Sequence, residues 1–358
     1  MGKKRLGELS FMNVILCIMT VFIHIISYPV SHMDKSVFLY DIITVIWRLS
    51  VIVVPGFIML ASCKLFMKIS KSEKFEYGKY YVGRLKRLIV PYIFWFALYY
   101  ALFMYVYGYE LEISFISKHF FLGSLVYHLY FIPILVQFDV LIPLWKKIVK
   151  HSPAIIILPI ALIFTIICES GMANLVGIIS PGTAFKYNDR LFTSYLIYWM
   201  IGAYMGSNYD AFKNMIVKNK ITVCVIFIFT MIINVIFSDI NYTGKGYISN
   251  MNLIHMAYVL SALMFLFMIS IMRGEKFTEN FRIVSVIDRL SYRIYLSHVL
   301  VLLAVDYAIL KLNINVFPAT ALRILVVYPV TIFVCMIVEK MTHIKITKKV
   351  NEKIKKGI

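Results

Sequence analysis

Ten stretches of apolar residues, each near the roughly 20 needed to cross a bilayer as a helix, alternate along the chain with short polar connections. They run approximately over 9–29, 42–63, 88–107, 125–145, 154–169, 191–206, 221–237, 253–272, 290–310 and 321–339, the fifth to seventh being short. In the first, LSFMNVILCIMTVFIHIISYP, polar residues interrupt the run at Asn13, Cys17, Thr20, His24 and Ser27, in steps of 4, 3, 4 and 3. At 3.6 residues per turn these positions form one narrow stripe, with Asn13 and His24 about 16.5 Å apart along the axis. In a bilayer such a stripe must face protein or water rather than lipid.

Composition supports spanning helices. The chain is 61% hydrophobic with a mean hydropathy of +0.82, well above the roughly 45–50% apolar usage of soluble domains. The expected fold is all-α: a polytopic helical bundle of about ten transmembrane helices in a single membrane domain over 1–358, with no separate soluble domain.

The net charge of +19 sits in short loops between apolar runs, which argues against nucleic acid and for positive-inside topology. Alternating sides along the ten spans, one side collects 29 Lys and Arg and the other 7, with Arg48 inside a span. The minority side is Lys35, Lys118, Lys186, Arg190, Lys245, Lys311 and Arg323. This bias puts both termini in the cytoplasm of a multi-pass membrane protein. Lys3, Lys4 and Arg5 precede a run too long for a signal peptide and without an A-x-A-like cleavage site, so an uncleaved first span is expected. The basic tail ITKKVNEKIKKGI suits a lipid-surface anchor. The five cysteines lie in apolar segments without metal-type spacing, so neither a disulfide nor a metal site is indicated.

Charge orientation turns position into depth. His24 lies a turn or more below the outer end of its helix, and Arg48, on a descending second span, lies at a similar depth, where an arginine must be paired or hydrated. An imidazole, with an unperturbed pKa of about 6.5, suits a general base; the alternative for His24 is a core histidine donating to a carbonyl. His128 falls near the outer surface on the fourth span, with Gln137 and Asp139 deeper; Ser27, His128 and Gln137 are candidate acceptor-binding residues. On the ninth span Tyr295 and His298 fall on the inner third, with Asp306 towards the outside. In GRLKRLIVPYIFW, Arg84 and Arg87 precede a helix, where guanidinium groups can hold phosphates of a nucleotide-bearing cosubstrate; ordinary positive-inside anchoring is the alternative. Asn13, Arg84, Arg87, Tyr295 and His298 form the candidate donor-binding set. No Walker A, G-x-S-x-G, H-E-x-x-H or G-x-G-x-x-G motif is present.

Over nearly its whole length the chain resembles the membrane acyltransferase 3 family, bacterial integral-membrane enzymes that move acyl groups from acyl-CoA onto sugars. The family's first helix carries a basic residue, ten intervening positions and a histidine; here the histidine is His24 and the basic position is Asn13. WRLSVIVVPGFIMLAS is similar to the second-helix segment, carrying over Arg48, Pro55, Phe57 and Ser62, with Cys63 where many members have Gly. GRLKRLIVPYIFW, HLYFIPIL and SYRIYLSHVLVL resemble later family segments. IYWMIGAYMGSNYD looks most like members associated with the staphylococcal intercellular adhesin, poly-N-acetylglucosamine, described as O-succinyltransferase or exporter, although small residues at this spacing also serve helix packing.

The resemblance implies an O-acyltransferase with no permanently bound cofactor. Acyl-CoA, as acetyl-CoA or succinyl-CoA, is the expected cosubstrate, and a polysaccharide or lipid-linked sugar the acceptor. The lipid bilayer and glycan synthase proteins are the expected partners. His24 and Arg48 are the catalytic candidates. Two alternatives remain: an exporter of a polysaccharide or lipid-linked sugar, and an assembly subunit of a synthase complex.

Overall fold

A computed structural model covers residues 6–72, 75–179, 187–247 and 251–355, with side chains described except over 170–179 and 342–355. The Lys3, Lys4 and Arg5 cluster, the stretch 180–186 with Lys186, and the side chains of the basic tail therefore lie outside the described residues. Among the described residues all regular structure is helical. In chain order the helices are α1 (Gly7–His32), α2 (Phe38–Ser50), α3 (Val53–Ser70), α4 (Tyr77–Arg84), α5 (Val90–Tyr107), α6 (Ile113–Leu122), α7 (Phe131–Val140) and α8 (Ile142–His151). They continue with α9 (Ala154–Ile179), α10 (Leu196–Ser207), α11 (Tyr209–Lys218), α12 (Lys220–Tyr242), α13 (Met251–Asn280), α14 (Arg282–Lys311) and α15 (Val316–Lys355).

Among the described residues, seven helical stretches are long and apolar enough to cross a membrane: 7–32, 38–70, 77–107, 220–242, 251–280, 282–311 and 316–341. They correspond to the first, second, third, seventh, eighth, ninth and tenth expected spans. The fourth divides into α7 and α8 at Leu141, just before Pro143, whose ring has no N–H to continue the ladder. The fifth corresponds to α9, whose side chains are described as far as Glu169, and the sixth begins with a 3₁₀ turn over Phe192–Tyr195 before α10.

Proline also shapes two longer spans. Between α2 and α3 the helix breaks at Val51 and Ile52, because Pro55 cannot donate to the Val51 carbonyl four residues back. His255 Nε2 bonds that carbonyl instead, at 3.3 Å. Between α4 and α5, Pro91 would clash with the Arg87 carbonyl. A π-helical segment, Leu85–Ile89, widens the turn and lets Val90 N–H donate to Leu85 O.

The helices fall into two compact units, residues 1–50 with 273–358, and residues 51–272. In the second unit, α3 and α10 meet backbone to backbone. A Cβ on Gly202 would come within 2.2 Å of Met59 O, and one on Gly206 within 2.2 Å of Cys63 O. Ser62 Oγ adds a 2.8 Å bond to Trp199 O. The Gly-x-x-x-Gly of the IYWMIGAYMGSNYD stretch is thus a close-packing device. On α12, Ile221, Val225, Phe229, Ile232 and Ile236 form an exposed apolar stripe, while Asn234 and Ser238 are buried on the other face, as a lipid-facing helix requires.

In the first unit, α1, α14 and α15 form the core. Asn13 bonds Asp288 and Ser291, and eleven residues later His24 lies against His298, so α1 and α14 run parallel. Arg323 meets His24 and Tyr328 meets Ile18, so α15 runs antiparallel to both. These relative directions agree with the alternation assigned to the first, ninth and tenth spans.

Candidate functional site

The polar stripe of α1 faces protein, as the bilayer argument required. Asn13, Cys17 and Thr20 are buried, and His24 and Ser27 are half-buried. Opposite it, α14 carries a stripe of its own: Asp288, Ser291, Tyr295 and His298, at steps of 3, 4 and 3. Two parallel helices with matching periods keep these rows in register for three turns.

At the Asn13 end of this seam the groups tie each other. Asn13 Nδ2 donates to Asp288 Oδ1 at 2.7 Å and to Ser291 Oγ at 2.9 Å, and Ser10 Oγ donates to Asp288 Oδ2 at 2.9 Å. Cys17 Sγ lies 3.9 Å from Ser291 O. The amide at the position where the family carries a basic residue is thus engaged with α14.

The other end differs in chemistry. The His24 and His298 rings stack with centroids 5.3 Å apart and an interplanar angle of 27°. His298 is fully buried, and its Nδ1 bonds the carbonyls of Ile294 and Tyr295 at 3.1 and 2.8 Å. Carbonyls only accept, so Nδ1 carries the proton, and in the neutral ring Nε2 keeps its lone pair. Arg323, 3% exposed, donates from Nη2 to His24 O at 2.8 Å and pairs from Nη1 with Asp306 Oδ1 at 3.1 Å. Its guanidinium also lies over the Tyr28 ring, 4.9 Å from the centroid. Ser27 Oγ donates to the same His24 carbonyl at 2.8 Å.

Two expectations are corrected by this geometry. Arg323, counted with the outer loop cations although it falls within the expected tenth span, stands seven residues into α15, which begins at Val316. His298 is not on the inner third: α14 begins at Arg282, so His298 falls near mid-helix and level with His24. Tyr295 is buried beside it, with ring centroids 6.4 Å apart.

The remaining candidates occupy other places. Arg48 is half-buried in the last turn of α2, which packs on α1. It lies ten residues, about 15 Å, from the start of α2, and His24 lies about 12 Å from the end of α1. In the second unit, Arg84 Nε bonds Asp139 Oδ2 at 2.5 Å and Tyr80 OH bonds Asp139 Oδ1 at 2.5 Å, which supplies the partner Asp139 needed. Arg87 is exposed and returns to Gly83 O at 3.0 Å. Gln137 ties α7 to the turn before α10: Nε2 donates to Arg190 O at 2.8 Å and Oε1 accepts from Phe192 N–H at 3.0 Å. His128 is buried in the segment before α7, edge-on to Tyr99 of α5 with centroids 5.7 Å apart.

Sequence reasoning missed Arg323 and Asp306 as members of the His24 cluster. The signal was available: Arg323 lies seven residues into α15, about 10 Å, the same depth argument that drew attention to Arg48.

No curated protein and no solved structure matches the chain. The family model described as acyltransferase domain, Acyl_transf_3, matches residues 6–340, so that α1, α14 and the spanning part of α15, with every member of the His24 cluster, lie inside the matched region. The chain belongs to the acyltransferase 3 family of membrane acyltransferases.

Proposed function

We propose that this acyltransferase moves an acetyl or succinyl group from cytoplasmic acyl-CoA to a hydroxyl of a cell-surface or lipid-linked polysaccharide, with His24 as general base. The observation that carries the proposal is the placement of His24 on a stripe that faces α14 inside an apolar bundle, stacked on His298 and braced by Arg323. Such a group is costly in a membrane unless it serves a purpose.

In the proposed reaction His24 takes the proton of the acceptor hydroxyl as its oxygen attacks the thioester carbonyl carbon. The C–O bond forms, the tetrahedral oxyanion collapses, the C–S bond breaks, and the thiolate of CoA receives the proton from His24. Arg48, expected from the sequence at a depth similar to that of His24 on the neighbouring helix, is the proposed partner of the oxyanion or the acceptor. Arg323 is engaged with the His24 carbonyl and Asp306, so it is not assigned that task. The parallel row from Asn13 to His24 gives the proposed donor path: CoA on the inner side, its acyl end at His24.

The test uses purified protein in liposomes with radiolabelled acetyl-CoA and succinyl-CoA in parallel and an N-acetylglucosamine oligosaccharide as acceptor. The wild type releases CoA and labels the oligosaccharide; His24→Ala does neither while inserting normally. Transfer at the wild-type rate in His24→Ala would sink the assignment. An exporter would move the glycan without releasing CoA.

A further inference from the structure

We infer that Arg323 is a positioning residue for His24: its guanidinium braces the turn of α1 that carries the base and fixes where the imidazole stands. The inference rests on the reading of His24 as the base.

The need for a brace comes from the sequence. Pro29 lies inside α1, five residues after His24. It has no N–H to donate to Ile25 O and its ring crowds that carbonyl, so the turn spanning His24 to Pro29 loses a rung of its ladder. In a bilayer such a defect is tolerated where neighbouring helices and hydroxyl side chains supply replacement bonds. The carbonyl deprived is that of Ile25, and the bonds that brace the weakened turn reach the carbonyl next to it, that of His24: Ser27 Oγ from within the turn and Arg323 Nη2 from α15, each at 2.8 Å.

The brace is itself held on two further sides. Nη1 of Arg323 pairs with Asp306 on α14 at 3.1 Å, and the guanidinium plane lies over Tyr28, 4.9 Å from the ring centroid. One planar group therefore links three helices at the level of the base: the backbone of α1, the carboxylate of α14 and its own α15. The same α14 carries His298, the ring that stacks on His24. An arginine suits this task better than a lysine, because the fork presents several donors in a fixed plane while an ammonium is a single point charge. Arg323 is 3% exposed and its two hydrogen-bonding arms are taken up by protein atoms, so its role lies in holding the base and not in touching substrate.

The test compares wild type, His24→Ala, Arg323→Ala, Arg323→Lys and Asp306→Asn in the liposome assay. Rates are expressed per folded molecule, with the folded fraction taken from size-exclusion profiles and thermal unfolding in detergent. Misplacing a base by about an ångström costs on the order of a hundredfold, so Arg323→Ala is expected to lower kcat about a hundredfold with KM for acyl-CoA unchanged. Arg323→Lys should recover part of that loss, and Asp306→Asn, which loosens the anchor, should fall between. A merely structural arginine would lower the folded fraction and leave kcat per folded molecule at the wild-type value; that result overturns the inference, as does a rise in KM alone. If Arg323→Ala does not accumulate, the other two variants decide, and wild-type kcat in both overturns it. Continued transfer by His24→Ala defeats the base assignment, whereas an inactive His24→Ala with a fully active Arg323→Ala defeats only the positioning role.

Discussion

Between α1 and α14 the contact is made by side chains that hydrogen-bond or stack across the seam; between α3 and α10 it is made by leaving side chains out. On the first seam Ser10, Asn13, His24, Asp288, Ser291 and His298 meet one another. On the second, Gly202 and Gly206 bring α10 against the carbonyls of Met59 and Cys63, and Ser62 Oγ bonds Trp199 O across the seam. Lipid gives helices no hydrophobic reason to associate, so both routes, close packing and polar bonding, are available. They differ in what else they permit. A glycine seam is rigid and chemically silent. A polar seam is expensive in hydrocarbon and brings proton-carrying groups into a dry interior, where they can do work.

The polar seam is itself divided. At the Asn13 end a carboxylate accepts from two neutral donors, Ser10 Oγ and Asn13 Nδ2. At the other end two imidazoles, a guanidinium and a second carboxylate gather within one level of the bundle. A tie and a reaction centre thus share one pair of helices, and the variants below separate them.

The largest expected effect is at the silent seam. Gly206→Leu places a side chain where a bare Cβ already comes within 2.2 Å of Cys63 O. Backbone cannot yield as a flexible side chain can, and overpacking commonly costs about 1–3 kcal/mol and more when backbone must move. The variant should fail to accumulate in membranes, as read by immunoblot. Normal accumulation and melting would mean α3 and α10 do not pack this closely. Next is the tie: Asn13→Ala leaves the buried Asp288 carboxylate one donor short, a loss of about 1–3 kcal/mol, seen as a lower melting temperature in detergent. A raised KM for acyl-CoA with unchanged melting would instead make Asn13 a contact for the donor. The smallest effect belongs to Ser62→Ala, which removes one hydroxyl bond between helices, about 1 kcal/mol, and should leave acyl transfer per folded molecule as it was.

The sequence disclosed the parts of this account that rest on local period and charge. The stripe of α1 was visible because helical spacing alone places Asn13, Cys17, Thr20 and His24 on one face. The relative directions of α1, α14 and α15 followed from where Lys and Arg collect. What stayed hidden depends on where helices begin. Arg282, Arg289 and Arg293 made the start of α14 look like a loop, although Arg289 sits on the helix and bonds Glu339 of α15. That shortened span put His298 too near the inner surface. Arg323 falls inside the expected span 321–339 but close to its end, where a cation counts as a loop charge. Pairings between distant segments, such as Arg84 with Asp139, carry no local signal at all; only the rule that a buried carboxylate needs a partner announced that one existed.

The central claim is that the chemistry sits at the His24 end of the polar seam. It is tested most directly by measuring CoA release and glycan labelling for His24→Ala and Ser62→Ala side by side in liposomes, each corrected for folded protein. The account predicts no transfer above background for His24→Ala and wild-type transfer for Ser62→Ala; transfer by His24→Ala at the wild-type rate would contradict it.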